Sequence, residues 1–107
     1  MTTLEILEAA RALIAEPEHW CQGAQALDAT GTVRRPCSRL AVRWCSLGAT
    51  DRVTRYKGIR ADNALYSALG MPPDIGIANF NDSHTHAEVL DLFDRAIAAE
   101  RAKAVLA

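Results

Sequence analysis

The sequence predicts a mainly α fold: a small single-domain helical bundle of three main helices and one short helix, with a short β-hairpin near residues 19–33. Three observations lead there. Apolar residues recur at three- and four-residue steps over residues 2–16, 37–53 and 85–101, the spacing of one face of an α-helix. Pro17, Pro36, Pro72 and Pro73 fall outside these three cores or end them, where a helix has to start or stop. A chain of 107 residues has the length for one hydrophobic core and not for two, so residues 1–107 are expected to form one domain.

Residues 2–16 open the bundle. Thr2 and Glu5 have the spacing of a capping box, and Leu4, Ile6, Leu7, Ala10, Leu13 and Ile14 make a broad apolar face before Pro17 ends the pattern. From Glu18 to Val33 the helical period fades, and a polar turn at Asp28 to Gly31 marks extended chain or a small hairpin, with Trp20 turned inward. Pro36 suits the first turn of a following helix, where its missing N–H is not needed. Residues 37–53 then carry the clearest stripe in the chain. Leu40, Ala41, Trp44, Cys45, Gly48, Ala49 and Val53 fall on one side, and Arg39, Arg43, Ser46 and Thr50 on the other. This is the expected central helix, flanked by 2–16 and 85–101, with its small residues admitting a neighbouring backbone and Trp20 closing one end. Gly58 marks a turn, and residues 62–69 make a short helix with Asp62 as N-cap and Gly70 as its stop. Pro72 and Pro73 prevent its continuation, and residues 75–80 read as a connector or short strand. Thr85 and Glu88 give a second capping box, although Asp82 or Ser83 could cap one turn earlier. The last helix buries Val89, Leu90, Phe93, Ala96 and Ile97 and frays within Ala102 to Ala107.

Half the residues are hydrophobic and 23% are charged, an ordinary globular balance that argues against disorder. The net charge of −1 hides an asymmetry. Residues 34–60 hold Arg34, Arg35, Arg39, Arg43, Arg52, Arg55, Lys57 and Arg60 against Asp51 alone, while the segments on both sides are acidic. Either the segments interleave their charges on folding, or the middle one presents a basic face to nucleic acid or to an acidic protein. No apolar run approaches the roughly 18 residues of a membrane span, and acids stand at the N-terminus where a secretion signal has its basic region. The expected location is the cytoplasm, with the three cysteines reduced.

Three motifs, Trp20-Cys21-Gln22-Gly23-Ala24, Trp44-Cys45-Ser46-Leu47-Gly48-Ala49 and Phe80-Asn81-Asp82, together resemble an uncharacterised family of small bacterial and phage proteins. The resemblance covers nearly the whole chain. It implies an α-dominated single domain with no established activity. Members of that family often have Trp where this chain has Phe80, a conservative departure that fits an aromatic packing role.

Candidate chemistry is sparse. Cys37, read at a helix start beside Arg34, Arg35 and Arg39, is the best nucleophile, since a helix dipole and neighbouring cations favour a thiolate. Cys37-Ser38-Arg39-Leu40 superficially resembles the cysteine-bearing helix start of small papain-like cell-wall peptidases, and His84 or His86 would have to serve as its base. In those enzymes the histidine lies on a strand of a sheet that this sequence does not announce. His84, His86 and Asp82, or Cys21 with His19, offer metal ligands without the spacing of a metal motif, so no metal and no cofactor is expected. Cys21 and Cys45 read as small buried hydrophobes, and Trp20 and Trp44 as core anchors. Asn81 and Asp82 fit a structural tie to Gln22 and Gly23, with a ligand contact as the other reading. The expected function is non-enzymatic: an adaptor or modulator, in no membrane, that binds a protein or nucleic-acid partner through residues 34–60. Arg34, Arg35, Arg39, Arg43 and Arg52 would be its contacts, joined by Asn81 and Asp82. The alternative is a cysteine hydrolase using Cys37 with His84 or His86.

Overall fold

A computed structural model of the chain describes residues 1–55, 59–70 and 76–106. Its elements are, in order, α1 (Thr3–Leu13), a 3-10 turn (Pro17–His19), β1 (Ala26–Asp28), β2 (Ala41–Trp44), α2 (Ser46–Thr54), α3 (Ile59–Leu69), α4 (Ile77–Ser83) and α5 (His86–Leu106). The mainly α class and the small two-stranded antiparallel element are both present. α5 packs against α1 and α3, and α2 packs against α1, α3 and α4. The core between them is built from Leu7 and Ile14, Leu65, Ile77 and Phe80, and Val89, Leu92, Phe93, Ala96 and Ile97, with Trp44 and Ala49 joining it from the β2–α2 segment. A radius of gyration of 13.0 Å is what a compact chain of this length requires.

Both capping boxes form. Thr2 Oγ1 accepts from Glu5 N while Glu5 Oε1 accepts from Thr2 N, and Thr85 and Glu88 make the same reciprocal pair ahead of α5. These bonds hold the Glu5 and Glu88 carboxyls below the usual carboxylate range. α5 stays helical through Leu106, where fraying from Ala102 was expected, although residues 101–106 are all exposed. Ala107 lies outside the described residues, as do the turn expected at Gly58, Pro72 and Pro73, and Ile75.

The expected central helix over 37–53 is corrected to a turn, a strand and a shorter helix. β2 pairs antiparallel with β1, with Ala26 opposite Trp44, Leu27 opposite Arg43 and Asp28 opposite Ala41. One step along β1 thus spans two along β2, so Val42 is the extra residue of a β-bulge. The bulge puts the inward residues Ala41 and Trp44 three positions apart, with Val42 and Arg43 exposed between them. That spacing imitates a helix; a regular strand would alternate by two. Leu40, assigned to the buried stripe, is 53% exposed, while Ser46 and Thr50, assigned to the wet side, are fully buried. Pro36 and Cys37 lie in the turn before β2, not at a helix start. A tight local hairpin does form within 19–33: Leu27 bridges Val33, and the carboxylate of buried Asp28 accepts from Thr30 and Thr32 across the turn.

Two further expectations change. α4 occupies 77–83, where a connector or strand was expected, because seven residues are too few to display a helical repeat. α3 starts at Ile59, so Asp62 sits inside its first turn instead of capping it.

Candidate functional site

Two regions hold the residues that the sequence singles out. The first is a polar clasp around Asn81, which stands near the end of α4 and not at a helix start. Asn81 is fully buried. Its Oδ1 accepts from Trp20 Nε1 at 2.8 Å, Ser46 N at 3.0 Å and Ser46 Oγ at 2.8 Å, and its Nδ2 donates to the Cys21 carbonyl at 3.0 Å and to Asp82 Oδ1 at 3.1 Å. An indole N–H and a backbone N–H can only donate, and a carbonyl can only accept, so the amide has one workable orientation. Gln22 Nε2 donates to the carbonyls of Asn81 and His84, and Gly23 N donates to Asp82 Oδ1. The tie between 81–82 and 22–23 is therefore made of four hydrogen-bonding groups from two distant segments.

The clasp also starts α2. Ser46 N is one of the helix's unpaired N-terminal donors, and Asn81 supplies its acceptor from another element. Cys45 is the N-cap, its Sγ accepting from Gly48 N at 3.4 Å, and Cys45 N donates to Gln25 O. A Cβ at Gly48 would lie 1.8 Å from Gln25 O, so only glycine allows this approach. The neighbour beneath Gly48 is thus the backbone leading into β1, where another helix was expected. Burial pushes the Cys21 thiol up to about 11 and raises that of Cys45, which makes both poor nucleophiles. Asn81 is fully buried, so the structural tie accounts for its side chain. Asp82 is exposed and lines a depression of about 180 Å³ with Gly23, Ala24, Cys45, Leu47 and Ala78.

The second region surrounds Cys37, the one exposed cysteine of the three. Its Sγ donates to the Asp51 carbonyl at 3.6 Å. Two depressions meet at this residue. One, of about 140 Å³, is lined by Cys37, Arg39, Arg52 and Arg55; the other, of about 510 Å³, by Cys37, Val33, Arg34, Arg35 and Ser38. Arg52 is half-buried and held in place: its Nη1 donates to the carbonyls of Pro36 and Ser38, and its guanidinium lies 5.2 Å from the Trp44 ring centroid. Trp44 Nε1 also donates to Pro36 O, so the indole supports both the arginine and the turn. Arg34 pairs with Asp28, whose carboxyl is held far below its ordinary range by the Thr30 hydroxyl first and Arg34 next. Arg35, Arg39 and Arg55 are exposed and make no ion pair among the described residues. Arg43 is exposed too but lines neither depression; its charge reaches Cys21 and favours that thiolate. The five arginines expected as partner contacts are thus divided between different surroundings, and Arg55, absent from that set, lines the smaller depression with Arg39 and Arg52.

The histidines lie elsewhere. The Nε2–H of His86 donates to Ile14 O, and its ring tilts against Trp20 at 5.4 Å; His84 stacks on Phe80 at 3.9 Å and donates from Nδ1 to the Phe80 carbonyl. Neither lines a depression with Cys37. Among the described residues no three His, Cys, Asp or Glu side chains gather as a metal site would require, and no helix is long and apolar enough to cross a membrane.

A pairing that the sequence did not announce links α2 to α3. Thr50 Oγ1 lies 2.9 Å from Leu47 O and 2.8 Å from Asp62 Oδ1. One hydroxyl proton serves one oxygen at a time, and when Thr50 donates it to Asp62 the bond partly offsets the cost of burying the carboxylate. Burial first, and the field of Asp51, lift the Asp62 carboxyl to about 6. Polar Thr50 on the stripe's wet side gave no sign of this, because its burial depends on where α3 lands.

The model of a family of unknown function, DUF6197, matches residues 1–99. The chain belongs to this family. Membership of DUF6197 fits the expected kinship with a family of no established activity and extends over nearly every element described above, ending within α5. No curated protein and no solved structure matched the chain.

Proposed function

We propose that this DUF6197 protein is a small non-enzymatic interaction module, an adaptor or modulator, that binds an anionic macromolecule through the basic surface of residues 34–60. The observation that carries the reading is the state of Arg35, Arg39 and Arg43, which are exposed and make no ion pair among the described residues. Surface arginines balanced by neighbours do little at a distance; unbalanced ones raise a field that attracts and orients an anionic partner. An accessory role in the cytoplasm accords with the resemblance to small bacterial and phage proteins and with three free thiols. The hydrolase alternative lacks the helix start that would activate Cys37, and it lacks a histidine beside the thiol.

Retention on two polyanions of different chemistry, heparin and polyglutamate, at low salt tests the reading. The native chain should be retained by at least one, and the variant with Arg35→Glu, Arg39→Glu and Arg43→Glu should not. Equal elution of the two proteins, or no retention of either, would sink the proposal.

A further inference from the structure

The two depressions that meet at Cys37 have a consistent chemistry. Among the described residues every cation lining them is arginine: Arg39, Arg52 and Arg55 in the smaller, Arg34 and Arg35 in the larger. A guanidinium presents a planar fork of donors that matches phosphate oxygens two at a time, which an ammonium does not. Arg52 is already fixed by Pro36 O, Ser38 O and the Trp44 ring, so it loses little freedom when it accepts a ligand. The smaller depression, at about 140 Å³, has room for a phosphate group. Opposing charge is limited. Asp28 offsets Arg34, and Asp51 is the single acid of residues 34–60, its field also felt at Asp62.

We infer that these joined depressions bind consecutive phosphates of a double-stranded nucleic acid, one on each side of Cys37. This rests on the basic-surface reading and gives its partner a chemistry. Two arginine-lined hollows sharing one wall suit a polymer with a phosphate at every step better than a peptide carrying a single phosphate. Among the described residues no aromatic ring lines either hollow, so the contact reads backbone, not stacked bases, and favours duplex over single strand.

Cys37 reports occupancy directly, since it lines both hollows while Cys21 and Cys45 are buried. Alkylation of the native chain by iodoacetamide is followed with a short DNA duplex, the same strand unpaired, or polyglutamate present. Duplex at about nine times its Kd should slow Cys37 about tenfold. With two phosphates engaged, the logarithm of the binding constant should fall with the logarithm of salt at a slope of about −1.8. Arg39→Gln or Arg55→Gln should each make that slope shallower by about one, with thermal unfolding confirming an intact fold. Arg43→Gln, outside both hollows, should change it less; an equal change would assign binding to diffuse charge and overturn the site. Protection by polyglutamate as strong as by duplex would overturn the phosphate inference and leave the basic-surface reading standing. Tighter protection by the unpaired strand would overturn the duplex assignment. Retention on polyanions with no duplex protection of Cys37 would refute the inference alone, whereas loss of retention refutes the reading beneath it.

Discussion

The clasp around Asn81 and the face around Cys37 are both rich in polar groups, yet they handle them in opposite ways. At the clasp an uncharged amide is sealed from water, and both its Oδ1 and its Nδ2 are hydrogen-bonded to named partners. At the Cys37 face the groups are charged, most are exposed, and Arg35, Arg39 and Arg55 have no counter-ion among the described residues. A buried polar group with all its bonds made fixes one arrangement of the chain, because any other leaves donors unpaired in a low-dielectric interior. A cluster of unpaired surface cations does the reverse: it contributes little to folding and leaves interaction energy available to a partner. Trp20, Cys21, Gln22, Gly23, Ser46, Asn81 and Asp82 supply the clasp, so these residues are accounted for by architecture.

The contrast predicts where substitutions hurt. Asn81→Ala strands the Trp20 N–H and both Ser46 donors and should cost about 3–4 kcal/mol in denaturant unfolding. A loss under about 1 kcal/mol would mean the clasp is not the fixed point described here. Gly48→Ala drives a Cβ into the Gln25 carbonyl and should cost about 2–3 kcal/mol, large for one methyl group on a helix where alanine is otherwise favoured.

Asp62 lies between the two extremes, a partly exposed acid held against a buried hydroxyl. Its folded-state pKa of about 6 is above the ordinary value of 3.8, so the folded protein binds the extra proton. The associated stability is fully present below about pH 4 and is lost as pH rises through about 6. Asp62→Asn, whose side-chain oxygen can still accept from Thr50 but does not titrate, should remove that dependence. At pH 7 it should stabilise the protein by on the order of 1 kcal/mol, after allowance for solvent screening of a partly exposed group. Melting curves at pH 5 and pH 7 check this, and an unchanged difference between the two pH values in the variant would count against it. The smallest effect on folding belongs to the basic face. Arg35→Gln with Arg39→Gln should leave unfolding within about 0.5 kcal/mol of the native chain while weakening polyanion retention. A destabilisation comparable to that of Asn81→Ala would erase the distinction between the two regions.

The sequence by itself determined the mainly α class, the starts of the first and last helices, and the basic character of residues 34–60. Each is a local property: a capping box needs only residues three apart, an amphipathic face only a repeating period, and charge only a count. What the tertiary structure decided was every feature that depends on a distant partner. The bulged strand Ala41–Trp44 exists because β1 is there to pair with it, and its three-residue inward spacing was indistinguishable from a helix without that partner. Ser46 and Thr50 are buried because Asn81 and Asp62, 35 and 12 residues away, meet their hydroxyls. Arg52 became a fixed wall of a depression, Arg34 an internal ion pair and Arg43 a bystander to both hollows, although one charge count covered all three. Local chemistry sets what a segment can become, and long-range hydrogen bonding and packing choose among those outcomes, because only they can satisfy the polar groups that folding takes out of water.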